Sequence, residues 1–292
     1  MTKIAIIGPG AIGGTLAAWL TKQSEHEVSI CARTSFKTLT VDSPFGILES
    51  TPTVYSDPES VEKVDWILVA TKTYHVESVA KWIQPLSHSE TRVAVVQNGV
   101  EHLANFSPIV PEERIVPVII DCPAERSEPG RILQRAPVKM TVPQGPAGQQ
   151  FFALFPADEM TLVLSEDWTT EAWKKLCINC GGAVSALLNQ PANVVREVHA
   201  ANVMENLIRE CLEVARAEGA LIEDSTIEEI VAGQAAAPEG AMNSIHADLV
   251  AKRPMEWDAR NGVVVRRGKQ HGVATPCNQM AVDLLRALEA AY

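Results

Sequence analysis

Lys175 and Asn179 stand four residues apart in Trp173-Lys174-Lys175-Leu176-Cys177-Ile178-Asn179-Cys180. On a helix, that spacing puts an ammonium and an amide on one face, a pairing able to hold a polar substrate. Such an ammonium can also meet negative charge that grows on the substrate. Ser244 and Asp248 repeat the spacing, and Glu256 precedes Trp257-Asp258-Ala259-Arg260-Asn261-Gly262, so a carboxylate is available to position or tune the lysine. Taken singly, each of these residues reads equally well as part of a solvated helix face. No arginine stands where a bidentate clamp for a carboxylate is evident.

A second set of residues lies near the start of the chain. Gly8-Pro9-Gly10-Ala11-Ile12-Gly13 directly follows the apolar run Lys3–Ile7 and precedes the alanine- and leucine-rich stretch 11–21. The first glycine permits a tight turn, the second lets backbone approach a pyrophosphate, and the third lets the helix pack closely on the strand. The helix start then offers free N–H groups to phosphate. The next strand, Glu27–Ala32, ends at Arg33, and no Asp or Glu occurs from Val28 to Val41. An acidic residue there would accept from the ribose 2′-OH of NAD, whereas an arginine can fork onto the 2′-phosphate of NADP. Thr34 and Ser35 add donors, so the expected cofactor is NADP(H); as a bare residue, Arg33 also reads as a solvated loop cation. Lys72 closes the run Ile67–Thr71, and Asn98-Gly99 follows Val93–Gln97. The carboxyl ends of parallel strands form the ligand-facing edge, which aims both residues toward the nicotinamide half of the cofactor. In isolation they are a surface lysine and a turn dipeptide.

The elements that must position these groups follow from the apolar pattern. Strands alternate with helices through 66–71, 93–97 and 115–120, the rhythm of a Rossmann-type doubly wound sheet. The segment 123–146, rich in Pro, Gly and charge, is expected to finish that sheet with antiparallel strands. From about 167 onward the periodicity turns helical, over 173–188, 198–218, 226–232, 241–252, 257–271 and 279–291. The fold class is therefore α/β, with a cofactor-binding domain over 1–166 and an all-helical substrate domain over 167–292, and a substrate is expected in a cleft between them.

Composition narrows the partners. The chain has 292 residues, 46% hydrophobic and 21% charged, which is enough for two cores. Its net charge of −11 argues against nucleic acid and leaves no basic face for an anionic membrane. The chain enters its first strand directly, without a signal segment or a membrane-length apolar run, so a cytoplasmic enzyme is expected. Six scattered cysteines do not form a disulfide framework. Cys177 and Cys180 lack partner ligands and read as packing residues, so no metal is expected. Trp168, Trp173 and Trp257 offer either an apolar homodimer surface or core packing.

Together the motifs resemble the 2-dehydropantoate 2-reductases, also called ketopantoate reductases, over essentially the whole chain. The resemblance rests on Gly8 through Gly13, Arg33, Ala70-Thr71-Lys72, Gln97-Asn98-Gly99, Lys175-Leu176-x-x-Asn179, Asn193, Ser244 through Asp248, and Glu256 to Gly262. It implies NADPH-dependent reduction of a 2-oxo acid, ketopantoate to pantoate, in pantothenate and coenzyme A synthesis. By the same resemblance Lys175 is the proton donor, Asn98, Asn179, Asn193 and Ser244 contact substrate, and Glu256 meets the cofactor near its ribose. The chain departs from the family pattern at Ala183, where a second asparagine is common, at Met255 and at Glu101. Those departures keep open a reductase of another 2-oxo or 3-hydroxy acid, and a non-catalytic NADPH-sensing protein. Ser185 is a possible replacement for the missing amide.

Overall fold

Consecutive apolar residues in Ile4–Ile7 suit a strand covered on both faces, and the computed structural model, which describes residues 1–292, gives that strand a central place. The strands are β1 (Thr2–Ile7), β2 (His26–Cys31), β3 (Leu39–Ser43), β4 (Gly46–Ser50), β5 (Thr53–Tyr55), β6 (Trp66–Val69), β7 (Arg92–Val95) and β8 (Ile115–Pro117). They continue with β9 (Ile119–Asp121), β10 (Ala124–Glu128), β11 (Arg131–Gln134), β12 (Val138–Pro143) and β13 (Met160–Ser165). Six of them form one parallel sheet in the order β5-β2-β1-β6-β7-β8, which by position along the sheet is the 3-2-1-4-5-6 order of dinucleotide-binding folds.

The helices of this unit are α1 (Ala11–Thr21), α2 (Val76–Leu86), α3 (His102–Phe106) and α4 (Pro146–Phe152). Alternate residues of β1 serve opposite faces. Ile4 and Ile6 pack with Leu16 and Leu20 of α1, while Ala5 and Ile7 pack with Val79 and Ile83 of α2 and Phe106 of α3.

The segment 123–146 does not complete the six-stranded sheet, as had been expected. β10 and β11 join β3 and β4 in a separate four-stranded sheet, and β12 pairs with β9 and β13 in a third. Pro123, Pro129 and Pro137 cut the segment into strands too short to extend a long edge. The second sheet instead lays Ile132 and Leu39 against α1, where Gly14 leaves room for them.

The chain divides into two compact units, one of Met1–Gln97 with Glu101–Trp168 and one of Asn98–Val100 with Thr169–Tyr292. The second is helical, with α5 (Trp168–Gly181), α6 (Ala183–Leu188), α7 (Val198–Ala217), α8 (Ser225–Ala235), α9 (Ser244–Val250), α10 (Val263–His271) and α11 (Pro276–Glu289). α7 is its axis. Met204, Leu207, Ile208, Cys211, Leu212 and Ala215 form a buried stripe at helical spacing, and the Glu197 carboxylate caps the helix by accepting from the Ala200 N–H at 2.8 Å.

Two expected helices differ in a way that bears on the site. The stretch 173–188 breaks into α5 and α6 at Gly181-Gly182, where Asn243 Nδ2 donates to the Gly182 carbonyl at 2.8 Å and a Cβ on Gly182 would crowd that amide. The stretch 257–271 opens with a π-helical turn over Asp258–Gly262, in which the Gly262 N–H reaches the Trp257 carbonyl at 2.9 Å, before α10 begins. Cys177 and Cys180 lie in the core, with the two sulfurs of Cys177 and Cys211 3.6 Å apart. Trp173 is buried in the helical core, and the partly buried Trp257 packs against the same core. No helix is long and apolar enough to cross a membrane.

Candidate active site

The first unit assembles a glycine turn at the start of α1 whose geometry suits an anion. Gly8, at φ +92°, ends β1 in a conformation that favours glycine, and Gly10 begins α1. A Cβ on Gly13 would strike the Gly8 carbonyl oxygen, whereas one on Gly10 would meet nothing within 4 Å. The packing role expected of the last glycine is thus visible, and the open space at Gly10 is what a bound pyrophosphate requires. α1 has no side-chain cap and no acidic residue in its first turn, which leaves its N–H groups and the positive end of its dipole for an anion. Pro9, Ala11 and Ile12 complete the loop.

Arg33, Thr34 and Ser35 are exposed just beyond β2. Arg126 of β10, which sequence reading passed over, donates from Nη1 to the Pro9 carbonyl at 3.4 Å and brings another guanidinium to the loop. Its signal was unreadable because β10 reaches α1 only through the separate second sheet. At the ends of β6 and β7, Gln97 is buried and its amide donates to the Thr71 carbonyl at 3.1 Å, the Thr71 hydroxyl at 3.0 Å and the Lys72 carbonyl at 3.3 Å. Gln97 therefore ties the strand end carrying Lys72 to that of β7, with Thr71 packed beside Gly8.

The second unit assembles a polar cluster. Gly99, at φ +94°, lies so near Ala259 that a Cβ would come within 2.9 Å of the Ala259 carbonyl. This close approach delivers Asn98, whose Nδ2 donates to Glu256 Oε2 at 3.0 Å. Glu256 is buried, and its segment is pinned by Glu289, which accepts from the Met255 N–H at 3.2 Å and from Trp257 Nε1 at 3.0 Å. Asn261 joins the π-turn to α5 and α11 by donating to the Cys180 carbonyl at 3.2 Å and to Asn278 Oδ1 at 2.9 Å.

Lys175 and Asn179 sit on the Cys180 end of α5. Burial, and secondarily the positive charge of Arg260, hold the Lys175 ammonium down at about 8. Asn179 Nδ2 is sealed from solvent with no partner. Ser244, at the start of α9, accepts from Arg260 Nη2 at 2.6 Å. Asp248 is buried and accepts from Arg253 Nε at 3.0 Å.

The structure thus gathers Asn98 with Glu256, Lys175 with Asn179, and Ser244 with Arg260, whose charge reaches both Lys175 and Glu256. Asn193 lies on the turn Ala192–Arg196, where its side chain engages Glu239, whose pKa it lowers together with Arg196. Its place in a substrate set is carried by resemblance alone. Ser185, the possible replacement for the missing amide, is fully buried in α6 with its hydroxyl unpartnered. A half-buried ammonium with a depressed pKa can protonate an oxyanion near neutral pH.

The family model described as ketopantoate reductase PanE/ApbA matches residues 4–147, and the model of that family's C-terminal part matches residues 167–289. A 2-dehydropantoate 2-reductase of Caulobacter vibrioides is 52% identical over 287 residues, covering 98% of this chain and 99% of that protein. One of Mycobacterium tuberculosis is 36% identical over 288 residues, covering 98% and 97%. The crystal structure of a PanE/ApbA family ketopantoate reductase from Ralstonia eutropha superposes with a TM-score of 0.90 at 27% identity, covering 99% of both chains.

Proposed function

The chain belongs to the ketopantoate reductase family and is an oxidoreductase acting on a CH–OH group, and on that premise we propose that it reduces 2-dehydropantoate to pantoate in the cytoplasm, with NADPH as reductant and Lys175 as proton donor. The observation that carries the reading is the half-buried Lys175 ammonium, its pKa held at about 8, one helical turn from the unpartnered Asn179 amide. Bound NADPH supplies a hydride to the ketone carbon. As negative charge grows on the ketone oxygen, Lys175 stabilises it and then delivers a proton from Nζ. Asn179 and Asn98 offer amide donors, Ser244 offers a hydroxyl, and Glu256 holds Asn98 in place. A homodimer is included as the assembly to be tested by sedimentation, with exposed Val198 and Val203 of α7 available to it; a monomeric mass removes it.

The residues present fit the cofactor. Gly8, Gly10 and the uncapped start of α1 suit the pyrophosphate, and Arg33 suits a 2′-phosphate. Arg33→Ala should weaken NADPH roughly 10-fold while leaving NADH nearly unchanged, because only NADPH carries the extra phosphate. Equal losses in a fluorescence titration of both cofactors would remove Arg33 from the phosphate site.

The reaction is tested with a panel of 2-oxo acids followed by NADPH absorbance, and turnover of ketopantoate is the expected result. Ala183, where the family commonly has an asparagine, favours a second reading, a different 2-oxo acid as substrate. Turnover of such an acid alone would establish it. NADPH binding without turnover of any acid would reject both readings and leave a sensor.

A further inference from the structure

Arg260 is a guanidinium in an unusual position. It is 2% exposed, and the carboxylates of Glu256 and Asp248 act on it through their charge. Its Nη2 donates to the Ser244 hydroxyl at 2.6 Å, and its Nε, shut off from solvent, has no partner. Burying a guanidinium with donors left unpaired is costly, and arginine is rarely found so.

The surrounding charges sharpen the point. Asp248 is engaged by Arg253 at 3.0 Å and Glu256 accepts from Asn98 at 3.0 Å, so both carboxylates whose charge acts on Arg260 are also held by other groups. Lys175 is close enough to Arg260 for the two cations to repel, and this repulsion adds to burial in lowering the lysine. A monoanion seated between two such cations relieves the repulsion, whereas a neutral carbonyl compound does not. The π-turn over Asp258–Gly262 is what directs Arg260 here: it adds a residue to the turn that follows Glu256, and Asn261 anchors the turn on the Cys180 carbonyl of α5.

We propose that Arg260, oriented by Ser244, is the group that binds the carboxylate of the 2-oxo acid and selects anionic over neutral carbonyl substrates. The inference rests on the reading of the chain as a 2-oxo acid reductase and assigns that site its anion anchor.

The test compares a 2-oxo acid with its primary amide. Arg260→Met should raise KM for the acid by roughly 30-fold with kcat changed far less, while KM for the amide stays put, so that the preference for the acid collapses. Arg260→Lys keeps the charge but loses the fork and should recover only part of it. Ser244→Ala frees the guanidinium and should weaken the acid by a smaller factor. NADPH titration reports whether each variant is folded, and if Arg260→Met does not fold, the other two decide the matter. An unchanged KM for the acid in the variants, or equal losses for acid and amide, overturns the proposal. If the wild type reduces no 2-oxo acid, the functional reading falls on its own. Calorimetry with the 2-hydroxy acid then judges Arg260: weaker binding by the variants supports its role and equal binding overturns it.

Discussion

Lys175→Met lowers kcat for reduction by roughly 100-fold or more, leaves NADPH affinity unchanged and makes the helical unit harder to unfold. The first part follows from removing the acid that must meet the developing alkoxide. The last follows from its pKa. Reduction from 10.5 to about 8 means that the folded chain holds the charged form poorly. At about 1.4 kcal/mol per unit, carrying that charge into the fold costs on the order of 3 kcal/mol at neutral pH, and methionine removes the charge while filling similar space. The sign with pH is fixed by the same shift. Between about 8 and 10.5 the unfolded chain binds more protons than the folded one, so the stability of the wild type rises with pH across that window, and the variant loses this rise. Activity runs the other way. The acid must be protonated, so kcat/KM for reduction is level below about 8 and falls above it, while oxidation of the 2-hydroxy acid gains. Stopped-flow and steady-state assays across pH, with thermal melts of both proteins, measure all of this. A variant that keeps near-wild-type turnover would leave Lys175 without its role.

Part of this site was legible in the residue order because its physics is local. Gly8, Gly10 and Gly13 need only a strand before them and a helix after, and Lys175 and Asn179 need only one turn of α5. The parallel core strands were equally visible as short apolar runs. What stayed hidden depends on long-range pairing or on a break in periodicity. β11 pairs with β3 across a separation that no local pattern encodes, and the second sheet that results brings Arg126 to Pro9. Arg260 was read past because Glu256 through Gly262 has the composition of a polar helix face. A π-turn changes which residue points inward, and burial of a charge has no signature in spacing. The contact of Asn193 with Glu239, made from the turn Ala192–Arg196, was hidden for the same reason, since the two residues are far apart in the chain.

The glycine loop permits a prediction that separates folding from cofactor binding. Gly10→Ala should leave the thermal stability of the first unit unchanged, because the added Cβ meets no protein atom within 4 Å and the backbone there, at φ −70° and ψ −164°, suits any residue. Its effect should appear only with cofactor present. If the pyrophosphate rests against this backbone, a methyl group displaces it from the first N–H groups of α1, and the loss of charge-assisted hydrogen bonds weakens NADPH on the order of 100-fold. Gly13→Ala should behave differently. Its Cβ is driven into the Gly8 carbonyl oxygen and lies 3.0 Å from the Ala70 side chain, so α1 must move off β1 before any ligand arrives. That displacement disturbs the packing of Leu16 and Leu20 against Ile4 and Ile6 and should cost about 2–3 kcal/mol of stability. NADPH binding weakens as a consequence. Melting curves of both variants without cofactor, followed by NADPH titrations, distinguish the two roles. A Gly10→Ala protein that binds NADPH as tightly as the wild type would show that the cofactor's phosphates lie away from this turn.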